Sequence, residues 1–310
     1  MPIINIKVMS TIAAFEKEIG MQLQFLENFV PQRALSHADQ RKAIFCGAGD
    51  SFASAQLGEV FSNFRARAYD PLDLVKNKNL LSDHDLYLIS ISGNTISNIK
   101  LAKRSKRTTA ITAYPQSKLA KTSDRLIQLK FSDSGIQTAG SISFLASTLT
   151  CISLVSKIKV RNISKLYNKA QSVAKRISIQ GKIYILGDLH TYPVAMFCVA
   201  KLYEVLGVDA HYERIEQFSH MSLFSSCRGD TVIIFEEENL HNRNLIKHLK
   251  DCGLKATRIE PPSKSTLEKI LFFIFVSELI ALYSAKKNKR KECFFVEAKK
   301  LRNASSSMIY

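Results

Sequence analysis

The chain has 310 residues, with 44 Lys plus Arg against 27 Asp plus Glu for a formal charge of +17, and 46% hydrophobic residues but only 12 Gly and 7 Pro. That length suits about two domains of 100–200 residues, and the apolar fraction excludes a disordered or low-complexity chain. Cys46, Cys151, Cys198, Cys227, Cys252 and Cys293 are scattered with no Cys-x-x-Cys pair, which excludes a clustered zinc site and a disulfide-stapled domain and points to a reducing cytoplasm.

The first residues lack a basic stretch followed by an apolar one, so no signal peptide is expected. Ser10 or Thr11 caps a helix whose apolar positions Ile12, Phe15, Ile19, Leu23, Leu26 and Val30 recur at helical spacing until Pro31 ends it. A strand over 42–46, a turn over 47–51 and a helix over 52–65 follow. The unit then repeats, with a strand over 85–89, a turn over 90–95 and a helix over 96–105. Further strands are predicted over 108–112 and 125–129. After a basic helical stretch over 160–176, the pattern restarts with a strand over 182–186, a turn over 187–191 and a helix over 192–206. Strands over 231–235 and 255–259 and an apolar helix over 267–283 complete it. The apolar run 270–283 is too short to span a bilayer and contains Glu278, so it reads as a buried helix. Apolar strands alternating with amphipathic helices predict an α/β fold of parallel sheets flanked by helices. The expected organisation is an N-terminal helical segment over 1–30 and two α/β domains over 31–165 and 166–310.

In an open parallel sheet, ligands bind at the carboxyl ends of strands, where turns lead into helix N-termini. Gly47-Ala-Gly-Asp-Ser51 and Ser90-Ile-Ser-Gly-Asn-Thr95 are such turns. Backbone N–H groups and the helix dipole favour a phosphate there, and hydroxyls donate to its oxygens. Neither turn contains the lysine of a nucleotide-binding P-loop. One such turn reads as ordinary capping chemistry; two in adjacent units of one sheet favour an anion site. In the second half Lys201 and Glu204 share a helix face, and Glu216 and His220 lie four apart further on. A carboxylate and an imidazole converging on a pocket suit proton transfer between adjacent carbons.

On these residues the sequence resembles the sugar isomerase (SIS) family, in its tandem-domain branch of phosphosugar isomerases, deaminases and deglycases. Ala14-Phe-Glu-Lys-Glu-Ile-Gly-Met-Gln22 resembles the helix before the first domain, and the turns at 47–51 and 90–95 resemble Gly-x-Gly-Thr-Ser and Ser-x-Ser-Gly-Glu-Thr. Tyr192-Pro-Val-Ala195 with Lys201-Leu-Tyr-Glu204, and Glu216-Gln-Phe-Ser-His220, resemble the second-domain motifs. Gly140 and Ser141 are the nearest equivalents of a further substrate loop. Asp50 stands where the family has Thr, Asn94 where it has Glu, and Phe197 where an acidic residue is common. The resemblance implies two tandem three-layer, flavodoxin-like domains and an enzyme acting on an (amino)sugar 6-phosphate, of the glucosamine-6-phosphate isomerase/deaminase type. Gly49, Ser51, Ser90, Ser92, Asn94, Thr95, Gly140 and Ser141 would bind substrate and its phosphate. Glu204 would shuttle the proton between C1 and C2, Lys201 would assist at the carbonyl or amine, and His220 would open the ring from the neighbouring subunit of a homodimer. Lys299 or Lys300 would be the C-terminal lysine that enters the site.

The alternatives within reach of the same residues are a fructosamine-6-phosphate deglycase-type enzyme and a non-catalytic sugar-phosphate sensor. No cofactor and no metal are expected, because His190, His211 and His220 have no ligand spacing. No membrane or nucleic-acid partner is expected either. The basic run 286–291 (KKNKRK) reads as a solvated helix end.

Overall fold

The computed structural model describes residues 9–309; the first eight residues of the expected N-terminal segment lie outside the described residues. Helix α1 (Thr11–Asn28) starts where Ser10 Oγ accepts from the Ala13 N–H at 3.3 Å. Its buried face carries Ile12, Phe15, Ile19 and Leu26, and also Glu18 and Gln22. Two polar residues on a core face need partners there.

The first half then runs α2 (His37–Lys42), β1 (Ala43–Cys46), α3 (Asp50–Phe61), β2 (Arg67–Tyr69), α4 (Pro71–Lys76), β3 (Asp85–Ile89), α5 (Ile96–Arg104), β4 (Thr108–Thr112), α6 (Lys118–Thr122), β5 (Arg125–Gln128) and α7 (Ile142–Val155). Its five strands are all parallel in the order β2-β1-β3-β4-β5. That is the doubly wound order in which the switch point lies between β1 and β3. Both faces of this sheet are covered, since Phe45, Tyr87 and Ile111 pack into one apolar cluster and Ile44, Leu86, Leu88 and Ala110 into another.

The second half runs α8 (Ile163–Ala174), β6 (Ile183–Leu186), α9 (Tyr192–Leu206), β7 (Ala210–Glu213), α10 (Ile215–His220), β8 (Thr231–Ile234), α11 (Leu240–Asp251), β9 (Lys255–Arg258), α12 (Thr266–Lys287), α13 (Phe294–Glu297) and α14 (Lys299–Ile309). Its four parallel strands are ordered β7-β6-β8-β9. The two strand-to-helix turns repeat in detail. A Cβ on Gly47 would sit 2.7 Å from the Ser51 carbonyl, and one on Gly187 would sit 2.8 Å from the Thr191 carbonyl. Only glycine lets the chain turn that tightly onto the following helix.

One apolar core joins the two sheets. It runs from Phe15 and Leu57 through Phe144 and Phe197 to Ile185 and Phe272, and the helices α1, α3, α7, α9 and α12 carry it. The predicted strands and long helices match the structure to within a few residues. Unpredicted are the short helices α2, α4, α6, α10, α13 and α14, the long helix α7, and the strands β2 and β7. Helix α7 is buried along almost its whole length, so no polar face marks its period. The edge strands β2 and β7 span only three and four residues and are part-exposed. Among the described residues no helix is long and apolar enough to cross a membrane.

Candidate active site

At the carboxyl ends of β1 and β3 lies a cavity of about 770 Å³, whose lining includes Glu18, Asp50, Ser51, Ser92, Gly140 and Glu204. It brings together residues from both halves of the chain. Ser51 stands in the first turn of α3, behind Gly49, which caps the helix at φ 57°. Ser92 belongs to the turn between β3 and α5. That turn is shaped by Gly93 at φ 62°, where any Cβ would collide with the Ser117 hydroxyl. The Gly93 N–H donates to Ser90 Oγ at 3.1 Å, and the Asn94 N–H donates to Ser92 Oγ at 3.3 Å.

The floor of the cavity is ionic. Lys201 on α9 is fully buried, and its Nζ donates to Asp50 Oδ2 at 2.8 Å and to Glu204 Oε2 at 2.5 Å. The bond to Asp50 ties α3 of the first half to α9 of the second. Burial works against the ammonium, but the Asp50 and Glu204 carboxylates outweigh it and hold the lysine above its ordinary pKa. Lys201 is therefore a fixed cation and not a base. The Phe197 ring lies one turn before it with its face 5.0 Å from Nζ and is stacked on Phe144 at 3.8 Å. An aromatic face is a favourable neighbour for a buried ammonium. Asp50, which the sequence sets beside the expected phosphate, thus points at Lys201.

Glu204 keeps part of its carboxylate toward the cavity, with its side chain 35% exposed. Burial raises its pKa, Lys201 opposes the rise, and Asp50 adds to it. The nearby Gly140 N–H also favours the charged form of this carboxylate. A Cβ at Gly140 would come within 2.9 Å of Asp50 Oδ2 and 3.4 Å of Lys201 Nζ. A glycine is needed there because the ion cluster fills the space. The result is a carboxylate at the edge of an open cavity, its pKa raised by burial, with a permanent cation behind it. That is the equipment of a general base.

Other expected site residues sit elsewhere. Ser90 is buried, with its hydroxyl 3.0 Å from that of Thr95, the N-cap of α5. Asn94 is exposed. Ser141 is fully buried and donates to Glu18 Oε2 at 3.2 Å. His220 ends α10 with its side chain 70% exposed and its Nε2 3.1 Å from Glu216 Oε1, and it does not line the cavity. Lys299 and Lys300 are exposed at the start of α14.

Several lining residues are not among the expected site residues, although Glu18 lies within the 14–22 motif. Glu18 accepts from the Ser134 N–H and hydroxyl at 3.2 and 2.7 Å and so fixes the loop before α7. Ser143 and Ser147 lie one turn apart on α7 and also line the cavity. Their spacing of four along an apolar helix is the one pattern that could have marked them. A second cavity of about 570 Å³, beside α1 and β5, has no carboxylate, histidine or cysteine in its lining, and Lys130 is its one ionisable residue. Among the described residues no group of three or more His, Cys, Asp or Glu could hold a metal ion.

No protein-family model and no curated protein matches the sequence. The fold has solved counterparts. Glucosamine-6-phosphate deaminase from Thermotoga maritima is similar at TM-score 0.69 and 18% identity, over 91% of this chain and 95% of that one. The C-terminal domain of glucosamine-fructose-6-phosphate aminotransferase from Francisella tularensis is similar at TM-score 0.68 and 12% identity, over 92% and 97%. Tagatose-6-phosphate ketose/aldose isomerase from Escherichia coli is similar at TM-score 0.66 and 18% identity, over 91% and 92%. The chain has the α/β fold of these proteins along nearly its whole length.

Proposed function

We propose that the protein is a phosphosugar isomerase of the SIS type, acting on an amino sugar 6-phosphate in the manner of a glucosamine-6-phosphate isomerase or deaminase. The observation that carries this reading is Glu204, held by the buried Lys201 at the floor of a cavity that also exposes Ser51 and Ser92. The phosphate docks against these hydroxyls and the turn amides before α3 and α5. The Glu204 carboxylate removes the proton from C2 of the open-chain sugar and returns it to C1 through an enediol or enolamine. Lys201 keeps Glu204 oriented, and its charge steadies the developing anion. Glu18, Asp50, Asp133 and Glu204 line the cavity, and no Lys or Arg does. Lys201 offsets Asp50 and Glu204, so Glu18 and Asp133 are the carboxylates that favour an ammonium group on the sugar over a neutral hydroxyl.

His220 opens the ring from the second subunit of a homodimer, which accords with its exposure outside its own chain's cavity. Lys299 or Lys300 closes over the site from the C-terminal helix, and the two α/β domains divide near residue 165, where α8 begins. The test is incubation with glucosamine 6-phosphate and with fructose 6-phosphate, following ammonia and ketose. Turnover abolished by Glu204→Gln is the expected result. No turnover of either compound, with Glu204→Gln indistinguishable from wild type, refutes it. The second reading is a sugar-phosphate sensor, favoured by the separation of His220 from Glu204; it gives calorimetric binding of either compound without turnover.

A further inference from the structure

Four helices meet behind the cavity, and each places a polar side chain in the junction. Glu18 and Gln22 come from α1, Asp50 from α3, Lys201 from α9 and Glu278 from α12. Gln22, Lys201 and Glu278 are all fully buried. Gln22 Nε2 donates to Glu278 Oε1 at 2.8 Å. The other oxygens of the same two groups, Gln22 Oε1 and Glu278 Oε2, are buried without a hydrogen-bond partner. Two acceptors stranded on two groups that already share one bond amount to a missing proton. An ionised carboxylate only accepts, whereas a carboxylic acid has one O–H to donate. A single proton on Glu278 Oε2, donated to Gln22 Oε1, satisfies both atoms and removes an unpaired charge from the core.

We propose that Glu278 is held as the neutral acid and closes a cyclic acid–amide pair with Gln22. The groups facing it are Gln22 and Glu18 from α1, Asp50 from α3, Lys201 from α9 and Tyr167 from α8. Burial pushes its carboxyl up to about 8; the Gln22 bond and Lys201 pull it down, and Asp50 and Glu18 push it up again. Lys201 already serves two carboxylates. As the neutral acid, Glu278 adds no third negative charge to the field that Lys201 shares with Asp50 and Glu204.

The Glu278 proton is held whatever substrate the cavity takes. The native chain holds a proton that the unfolded chain has released above the ordinary carboxyl range. Stability attributable to Glu278 is therefore present below that range and lost as pH rises toward the raised value. The experiment is difference infrared spectroscopy of wild type against Glu278→Gln, with thermal midpoints read across the same pH series. We expect a protonated-carboxyl band in wild type at neutral pH that is missing from Glu278→Gln, and a stability profile that is flatter in Glu278→Gln. Glu278→Leu, which strands the Gln22 amide, is less stable than wild type below the raised value, and the glutamine variant rescues that loss. Should Glu278→Gln fail to fold, isotopic labelling of glutamate in wild type reads the same band, which must titrate near the raised value. Parallel stability profiles, or no protonated-carboxyl band at neutral pH, overturn the proposal. A failed turnover assay leaves both measurements unaffected, so the two readings fail separately.

Discussion

Replacing Lys201 by methionine keeps most of the side-chain stem and removes the cation from between two carboxylates. Breaking a buried ion pair by deleting one partner costs about 3–5 kcal/mol, because the remaining charge is left without compensation. Here two charges remain, on Asp50 and Glu204, but their side chains are 23% and 35% exposed. Water screens part of the loss, so the expected destabilisation is near the lower end, about 3 kcal/mol at neutral pH. Urea titrations read it as a fall in midpoint with little change in slope. The deficit narrows on acidification. Burial and Asp50 already raise the pKa of Glu204, and without Lys201 to oppose them its carboxylate takes up a proton earlier as pH falls. Adding Asp50→Asn to Lys201→Met returns part of the lost stability, since one stranded charge is gone and the sites are in contact. A Lys201→Met protein within about 0.5 kcal/mol of wild type at neutral pH refutes the assignment of Lys201 as the buried centre of the cluster.

Gly140→Ala forces a Cβ against Asp50 and Lys201. It is expected to cost about 1–3 kcal/mol by overpacking and to lower kcat more than it raises KM, read by denaturation and steady-state kinetics. Gly93→Ala strains a left-handed turn and strikes Ser117; calorimetry should show weakened binding of the sugar phosphate with Glu204 untouched. If His220 serves the neighbouring subunit, His220→Asn and Glu204→Gln are each inactive alone, and a refolded mixture regains partial activity; an inactive mixture excludes the shared site. Glu236→Ala removes one of two acceptors available to the Thr191 hydroxyl and to the Asp188 N–H. It should cost about 1–2 kcal/mol in denaturation without changing sugar-phosphate affinity.

The strands and the helices that follow them were legible because each obeys its own period: β3 and β4 fall on the predicted residues, as does α9. The turns at 47–51 and 90–95 were legible because glycine and hydroxyls there answer a backbone requirement that operates within a few residues. Asp50 was not. In sequence it is a departure from a phosphate turn, and its partner lies 151 positions away on α9. Glu18 and Gln22 were visible as polar residues in a helix, but their burial against the loop before α7 and against α12 is a tertiary fact. The general cause is that a buried charge is explained by its partner, and local periodicity contains no information about partners from another element.

The two halves use one turn for opposite ends. In the first, Ser51 follows the Gly47 turn and lines the cavity. In the second, Thr191 takes the corresponding place after Gly187, but its hydroxyl donates to Glu236 Oε1 at 2.6 Å, and the Asp188 N–H donates to the same oxygen at 3.3 Å. Glu236 follows β8 as Ser90 and Ser92 follow β3, since β8 and β3 hold matching places beside β6 and β1. The second helix N-terminus therefore carries its own carboxylate where the first presents hydroxyls. A group held in the chain occupies that position without the translational entropy a free anion would lose. This also explains where the chain's charge does and does not act. The excess of +17 sets a long-range field that draws anions toward the molecule. Neither turn contains a lysine or arginine, so selection between the two helix ends falls to hydroxyls on one and a carboxylate on the other.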